Sequence, residues 1–209
     1  LWGELSYDVT LLMSRQGAQV LHLRSVEMAR KFGLKLELKS SLEPERTGTT
    51  VMRRDEMKNL EGLRFTGATA DRQRCLLEMS LARPSVAASL LEQAEAEGLT
   101  TQSLVVHEGR VLTWVERSRV ADWDKRLRQW TQEGYLRQFE LKTQWVPVSV
   151  VGECFSQGAY LRAVTALRTA HVEPESVQVE GLSVVFGIAE HRVEDALRSL
   201  HREFLEASA

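Results

Sequence analysis

Apolar positions along the chain fall into short runs whose period switches repeatedly between that of a helix and that of a strand. From Leu5 to Gly17 the residues Leu5, Val9, Leu12 and Met13 recur at helical spacing. Ser6 and Asp8 are placed to cap that helix and complement its dipole, and Gly17 to stop it. Gln19–His22 reads as a short strand and Ser25–Phe32 as a helix closed by Gly33. Leu34, Leu36 and Leu38 alternate with Lys35, Glu37 and Lys39, the pattern of a half-buried strand. Together these make a helix–strand–helix–strand piece of an α/β sheet. Pro44, Gly48 and the run Arg53-Arg54-Asp55-Glu56 punctuate residues 41–59. They mark a first domain over 1–50 and a linker over 51–61.

Behind the linker the pattern repeats. Residues 73–142 and 145–206 each spell strand, helix, strand, turn, strand, helix. In the first copy the elements are Gln73–Leu81, Pro84–Glu97, Thr101–His107, Arg110–Glu116 and Val120–Thr131. In the second they are Trp145–Gly152, Gly158–Ala170, Glu175–Val179, Leu182–Ile188 and Val193–Leu205. Glu108-Gly109 and Glu180-Gly181 occupy equivalent turns, and the glycine in each is expected to supply the positive φ of a tight hairpin. A split βαβ unit needs one further edge strand. Tyr135–Leu141 serves the first copy, whereas the second runs out of chain. The unpaired apolar run Gly62–Thr69 is therefore assigned to the second copy, which inserts the first module (70–142) within the second (62–69 and 143–209). The fold class is a remnant of an α/β domain followed by two ferredoxin-like (βαββαβ) modules.

Composition narrows the function. A hydrophobic content of 43% suffices for a sizeable core, and 27 basic against 29 acidic residues, intermixed, give a net charge of −2. That balance, with no basic block, argues against nucleic acid as a partner. No run approaches the ~20 apolar residues of a membrane span, and no signal pattern opens the chain, so no membrane partner and a cytoplasmic location are expected. Cys75 and Cys154 read as free core thiols. The chain starts at Leu1 instead of methionine and is taken as a fragment.

Chemistry-bearing motifs are sparse. The 13 glycines form no phosphate-cradling loop, and the histidines (His22, His107, His171, His191, His201) do not share ligand spacing. No catalytic residue, metal ligand or cofactor is therefore expected in these residues. Trp123, Leu127 and Trp130 form one helical stripe, read as core or module packing.

Two stretches resemble aspartate kinases. The first is Leu5-Ser6-Tyr7-Asp8, then Gly17-Ala18-Gln19-Val20-Leu21-His22 and Arg24-Ser25-Val26-Glu27-Met28-Ala29, continuing through Ser40-Ser41 to Gly48-Thr49. In that family this order of motifs closes the amino-acid-kinase domain. Leu23 stands where the family commonly has proline. The second is the paired repeat, similar to tandem ACT regulatory modules, with Thr66-Gly67-Ala68, Val148-Ser149-Val150-Val151-Gly152 and Leu200-His201-Arg202-Glu203-Phe204 at its landmarks. The resemblance implies a parent that phosphorylates the β-carboxylate of L-aspartate with Mg-ATP, its chemistry held by residues N-terminal to Leu1. It also implies homodimerisation through the ACT modules, contact with the remainder of the kinase domain, and an amino-acid effector (lysine, threonine or another). The alternative is a stand-alone ACT-type amino-acid-binding or dimerisation protein without kinase activity.

The resemblance locates the effector site at the loop Ala82, Arg83, Pro84, Ser85 and Val86, with Val106 and His107 at the end of the next strand. Amides at a helix N-terminus would attract the effector's carboxylate and a nearby acid its ammonium. Lysine- or threonine-responsive relatives typically carry Asp-x-Pro-Gly and Gln-Asn there. Here Ala82, Ser85, Val106 and His107 stand at those positions and only Pro84 is retained. The first module is accordingly expected to be a scaffold, or to recognise another effector through Arg83 and His107, ahead of sensing lysine. The second module's loop, Glu153–Gly158, is read chiefly as an interface.

Overall fold

Three small sheets, each covered by helices, organise the chain in the computed structural model, which describes residues 3–18, 21–43, 45–57, 65–152 and 157–206. The first unit comprises β1 (Glu4–Ser6), α1 (Tyr7–Arg15), α2 (Leu23–Phe32), β2 (Leu36–Leu38) and β3 (Thr49–Met52). Its sheet order is β1-β3-β2, with β1 parallel and β2 antiparallel to β3. Ser6 caps α1 by accepting the Val9 amide at 3.2 Å, and Gly33, at φ 63°, ends α2 in the left-handed conformation. Leu5, read as the start of the helix, lies in β1 instead, because the cap at Ser6 fixes where helical geometry begins. Of the expected strand Gln19–His22, the first two residues lie outside the described set, and Leu21 and His22 are not in a strand. Residue 50 falls inside β3, the central strand.

The first module contains β5 (Arg74–Leu81), α3 (Ala87–Ala96), β6 (Thr101–His107), β7 (Arg110–Glu116), α4 (Val120–Gln132) and β8 (Leu136–Lys142). The second contains β9 (Trp145–Gly152), α5 (Gln157–Thr169), β10 (Ser176–Glu180), β11 (Ser183–Ala189) and α6 (Val193–His201), the last continued by a π turn over Arg202–Glu206. Their sheets run β6-β7-β5-β8 and β10-β11-β9-β4, where β4 is Phe65–Ala70. All neighbouring pairs are antiparallel. Both sheets thus have the split-βαβ order, and the second is completed by a strand that precedes the first module in sequence. Gly62–Arg64, part of the run assigned to that strand, lie outside the described residues.

Strand alternation decides what packs where. In β5, Cys75, Leu77, Met79 and Leu81 point to α3 and α4 and meet Trp123, Leu127 and Trp130, all three fully buried. In the second module Val146, Val148 and Val150 meet Ala163, Leu167, Ala196 and Leu200. The alternate residues face away from the helices, where Leu76 and Trp114 of the first sheet pack on Val185 of the second. Trp114 Nε1 donates to Gln178 Oε1 at 3.1 Å across that seam. The modules therefore stack back to back through their helix-free faces. The first unit leans on the second module through Val151 and Leu182.

The two central hairpins differ, against the expectation of one shared device. In the first, His107 pairs with Arg110, so Glu108 and Gly109 form the turn, both at positive φ (47° and 78°), the geometry of a type I′ hairpin. In the second, Glu180 pairs with Ser183, so the turn is Gly181-Leu182, and Gly181 is not among the residues at positive φ. The shared Glu-Gly pair sits one register step apart relative to the turn.

Candidate functional site

At the C-terminal end of β5 the chain bends through Ala82 and Arg83 into a 3-10 turn, Pro84–Val86, and then α3. Proline at the first position of that turn costs nothing, since its missing N–H would have no partner within the turn. The loop is tied down by its neighbours. Ala82 N–H donates to Tyr135 O at 2.8 Å, and Arg137 donates to Ala82 O at 3.3 Å. Within the turn, Val86 N–H donates to Arg83 O and Ala87 N–H to Pro84 O. Two amides at the head of α3, the groups expected to meet an effector carboxylate, are thus already engaged. Arg83 and Ser85 are exposed, while Val86 packs against the module core.

The hairpin tip closes on this loop. Leu81 N–H donates to Gly109 O at 2.6 Å, and a Cβ at position 109 would stand 3.8 Å from Pro84 Cγ. Val106 and His107 sit beside that tip on β6, an edge strand, but adjacent strand residues point to opposite faces. Val106 pairs with Val111 and shares its helix-side face. His107 pairs with Arg110 and shares its face, bordering a cleft of about 360 Å³ between the two modules. The structure therefore brings the Ala82–Val86 loop and the hairpin together but divides Val106 from His107. Of the second module's loop, Glu153–Ser156 lie outside the described residues, Cys154 among them.

Sequence reasoning missed the polar floor of the intermodule cleft. Lys142, at the end of β8, has Glu78 at 3.2 Å and Glu140 at 3.7 Å from its own module, and donates to Glu175 of the second. The Glu175 hydrogen bond, reinforced by Glu78 against the cost of burial, pushes the Lys142 ammonium up to about 12. No single segment signals this cluster, because its members come from β5, β8 and the approach to β10. Among the described residues no group of His, Cys, Asp and Glu is arranged to hold a metal ion. Nor is any described helix long and apolar enough to cross a membrane.

Comparison with solved structures gives the architecture a context. An aspartate kinase from Clostridium acetobutylicum superposes on 97% of this chain with a TM-score of 0.85 at 18% identity. This chain has the fold of the corresponding part of that aspartate kinase. The chain spans about half of that protein (48%). The regulatory subunit of aspartate kinase from Thermus thermophilus aligns over 98% of its own length and 67% of this chain, TM-score 0.60, 17% identity. In sequence, an aspartokinase from Geobacillus stearothermophilus is 50% identical over 48 residues, 23% of this chain and 12% of that protein. No family model matches the chain. The back-to-back, ferredoxin-like modules share their fold with these aspartate kinase regulatory subunits.

Proposed function

We propose that this chain is the regulatory, C-terminal portion of an aspartate kinase that uses Mg-ATP to phosphorylate the β-carboxylate of L-aspartate in the cytoplasm. The observation that carries the reading is the extent of the structural likeness. Regulatory subunits cover two thirds of the chain, about the size of the two ACT modules with β4, whereas the Clostridium kinase covers 97% and so takes in the first unit as well. A stand-alone ACT pair has no need of that unit. Its sheet, three short strands with β3 central, is too small to be a domain alone and fits the closing piece of a kinase domain. We place the end of that piece after Met52, so that β3 stays whole, and the ACT modules at 71–142 and at 65–70 with 143–206, so that β4 stays whole.

The sheet edges support homodimerisation. β6 and β10 are edge strands, and Leu104, Val105, Val106 and Val179 on them are exposed apolar residues. The first module is proposed to respond to an effector other than lysine, or to act as a dimer scaffold. Ala82 supplies no acid for an ammonium, Ser85 puts a side chain where glycine would leave room, and the Val86 and Ala87 amides are engaged.

Aspartate-dependent ATP turnover by the whole parent protein tests the first statement, and its absence in a folded, ATP-binding parent refutes it. Titrating this chain with lysine, threonine and methionine by calorimetry tests the second. Saturable heat from lysine overturns it.

A further inference from the structure

We propose that the cleft where the first unit meets both modules binds a phosphate group. The cleft encloses about 740 Å³ and lies between the end of α1, the β4–β5 turn and the head of β6. Gly17, at φ 97°, makes the close approach possible, since a Cβ there would stand 2.8 Å from the Ala70 carbonyl oxygen. The site is remote from the Ala82–Val86 loop. They lie at opposite ends of β5, which at about 3.3 Å per residue separates them by roughly 23 Å.

Arg15, Arg72 and Arg74 line the cleft, against one acid, Asp71. Arg74 is the informative member, its side chain only 18% exposed. Its Nε stands 3.3 Å from Asp71 Oδ2, and its Nη1 is buried with no acceptor in the protein. Asp71 is itself shared, because its Oδ1 accepts the Gln73 amide at 3.0 Å. A guanidinium carries five N–H donors in a rigid fork, and leaving one buried and unmet is costly.

The other two arginines are available. Arg15 has Glu27 at 3.6 Å and Arg72 is paired with Glu194, both pairs well exposed and therefore weak. An oxyanion that engages two or three forks at once displaces such pairs at little loss.

Gln102 selects among oxyanions. Its Nε2 donates to Arg15 O at 3.3 Å, while its Oε1 is buried with no donor in the protein. A hydrogen phosphate offers acceptor oxygens to the arginines and an O–H to that acceptor. A dicarboxylate at neutral pH offers only acceptors. Thr101 lines the same wall, as does Thr100, whose hydroxyl donates to Glu116 Oε1 at 3.3 Å.

The test is calorimetric titration of this chain at pH 7 and fixed ionic strength with inorganic phosphate, glycerol 3-phosphate and succinate. Saturable binding of a phosphate, with succinate at least tenfold weaker, is expected. The double variant Arg15→Ala/Arg72→Ala, both exposed positions, should weaken phosphate binding by about tenfold or more, while Arg128→Ala on the far surface of α4 leaves it unchanged. Tighter binding of the ester, whose phosphate is mostly the dianion at pH 7 so that its glycerol hydroxyls supply the O–H for Gln102, assigns the site to a phosphorylated small molecule, and tighter binding of the free ion assigns it to inorganic phosphate. Both support the proposal. Absence of saturable binding, equal binding of succinate, or full retention in the double variant overturns it.

Discussion

Replacing Gly187 by alanine tests the close packing of β11 on its neighbour β10 and on Trp114 across the seam between the modules. Gly187 lies in β11 on the helix-free face, and a Cβ built there would sit 2.5 Å from Ser176 Oγ, 3.3 Å from Ser176 N and 3.3 Å from Trp114 Cη2 of the other module. Overpacking of this kind costs ~1–3 kcal/mol. The loss of unfolded-state freedom when glycine becomes alanine returns ~0.4–1 kcal/mol. A net destabilisation of about 1–2 kcal/mol is expected. Ser176 adds a sharper sign. Its Oγ is buried without a hydrogen-bond partner in the protein, so Ser176→Ala alone should be neutral or stabilising. Because that oxygen is also the nearest clash, the double variant should recover about 1 kcal/mol of the Gly187→Ala loss. Urea unfolding followed by tryptophan fluorescence gives all four corners of the cycle. Additivity within ~0.3 kcal/mol, or a Gly187→Ala variant as stable as the wild type, would refute the contact.

Three further outcomes are expected. Lys142→Met leaves Glu78 and Glu175 facing one another without their cation and should cost ~2 kcal/mol in denaturant unfolding. The Lys142 ammonium is raised from 10.5 to about 12 in the folded chain, so its contribution is complete below about 10.5 and is lost as pH rises through about 12. The wild type should therefore lose its margin over Lys142→Met across that window, and a constant margin would contradict the pairing. Gly109→Ala, at φ 78°, should destabilise by ~1 kcal/mol, whereas Gly181→Ala, with nothing within 4 Å of its Cβ, should stay within ~0.5 kcal/mol of wild type in the same assay. Burial pushes the Cys75 thiol up despite the nearby Arg117, so mass spectrometry should find Cys75 unalkylated in native protein at pH 8 and modified once urea unfolds it.

The module architecture could be read in the sequence because period-2 and period-3.6 patterns are local. Leu77 and Met79 alternate on β5, Leu127 and Trp130 stripe α4, and Val120 and Val193 open equivalent helices. Counting strands was enough to give β4 to the second sheet, because an unpaired apolar strand has one obvious vacancy to fill. What escaped depends on register or on assembly. Glu180-Gly181 looks like Glu108-Gly109, yet the pairing of Glu180 with Ser183 moves the turn by one residue, and pair identity carries no register information. The face-to-face contact of Trp114 with Gln178 and the meeting of Arg15 with Arg74 and Gln102 join distant segments, which no window along the chain reveals. The candidate effector loop was found by resemblance, but the opposed directions of Val106 and His107 emerge only once strand pairing is known.

The strand borrowed by the second sheet has a consequence for how the chain matures during translation. β4 begins at Phe65 and its hydrogen-bonding neighbour β9 at Trp145, about 80 residues later. At ~5–20 residues per second the ribosome leaves β4 without that neighbour for several seconds. Within that interval the inner module emerges whole and is free to collapse on its own tryptophan-rich interior. The outer module can only form around it, like a clasp shut on something already in place, so damage to the inner module delays both.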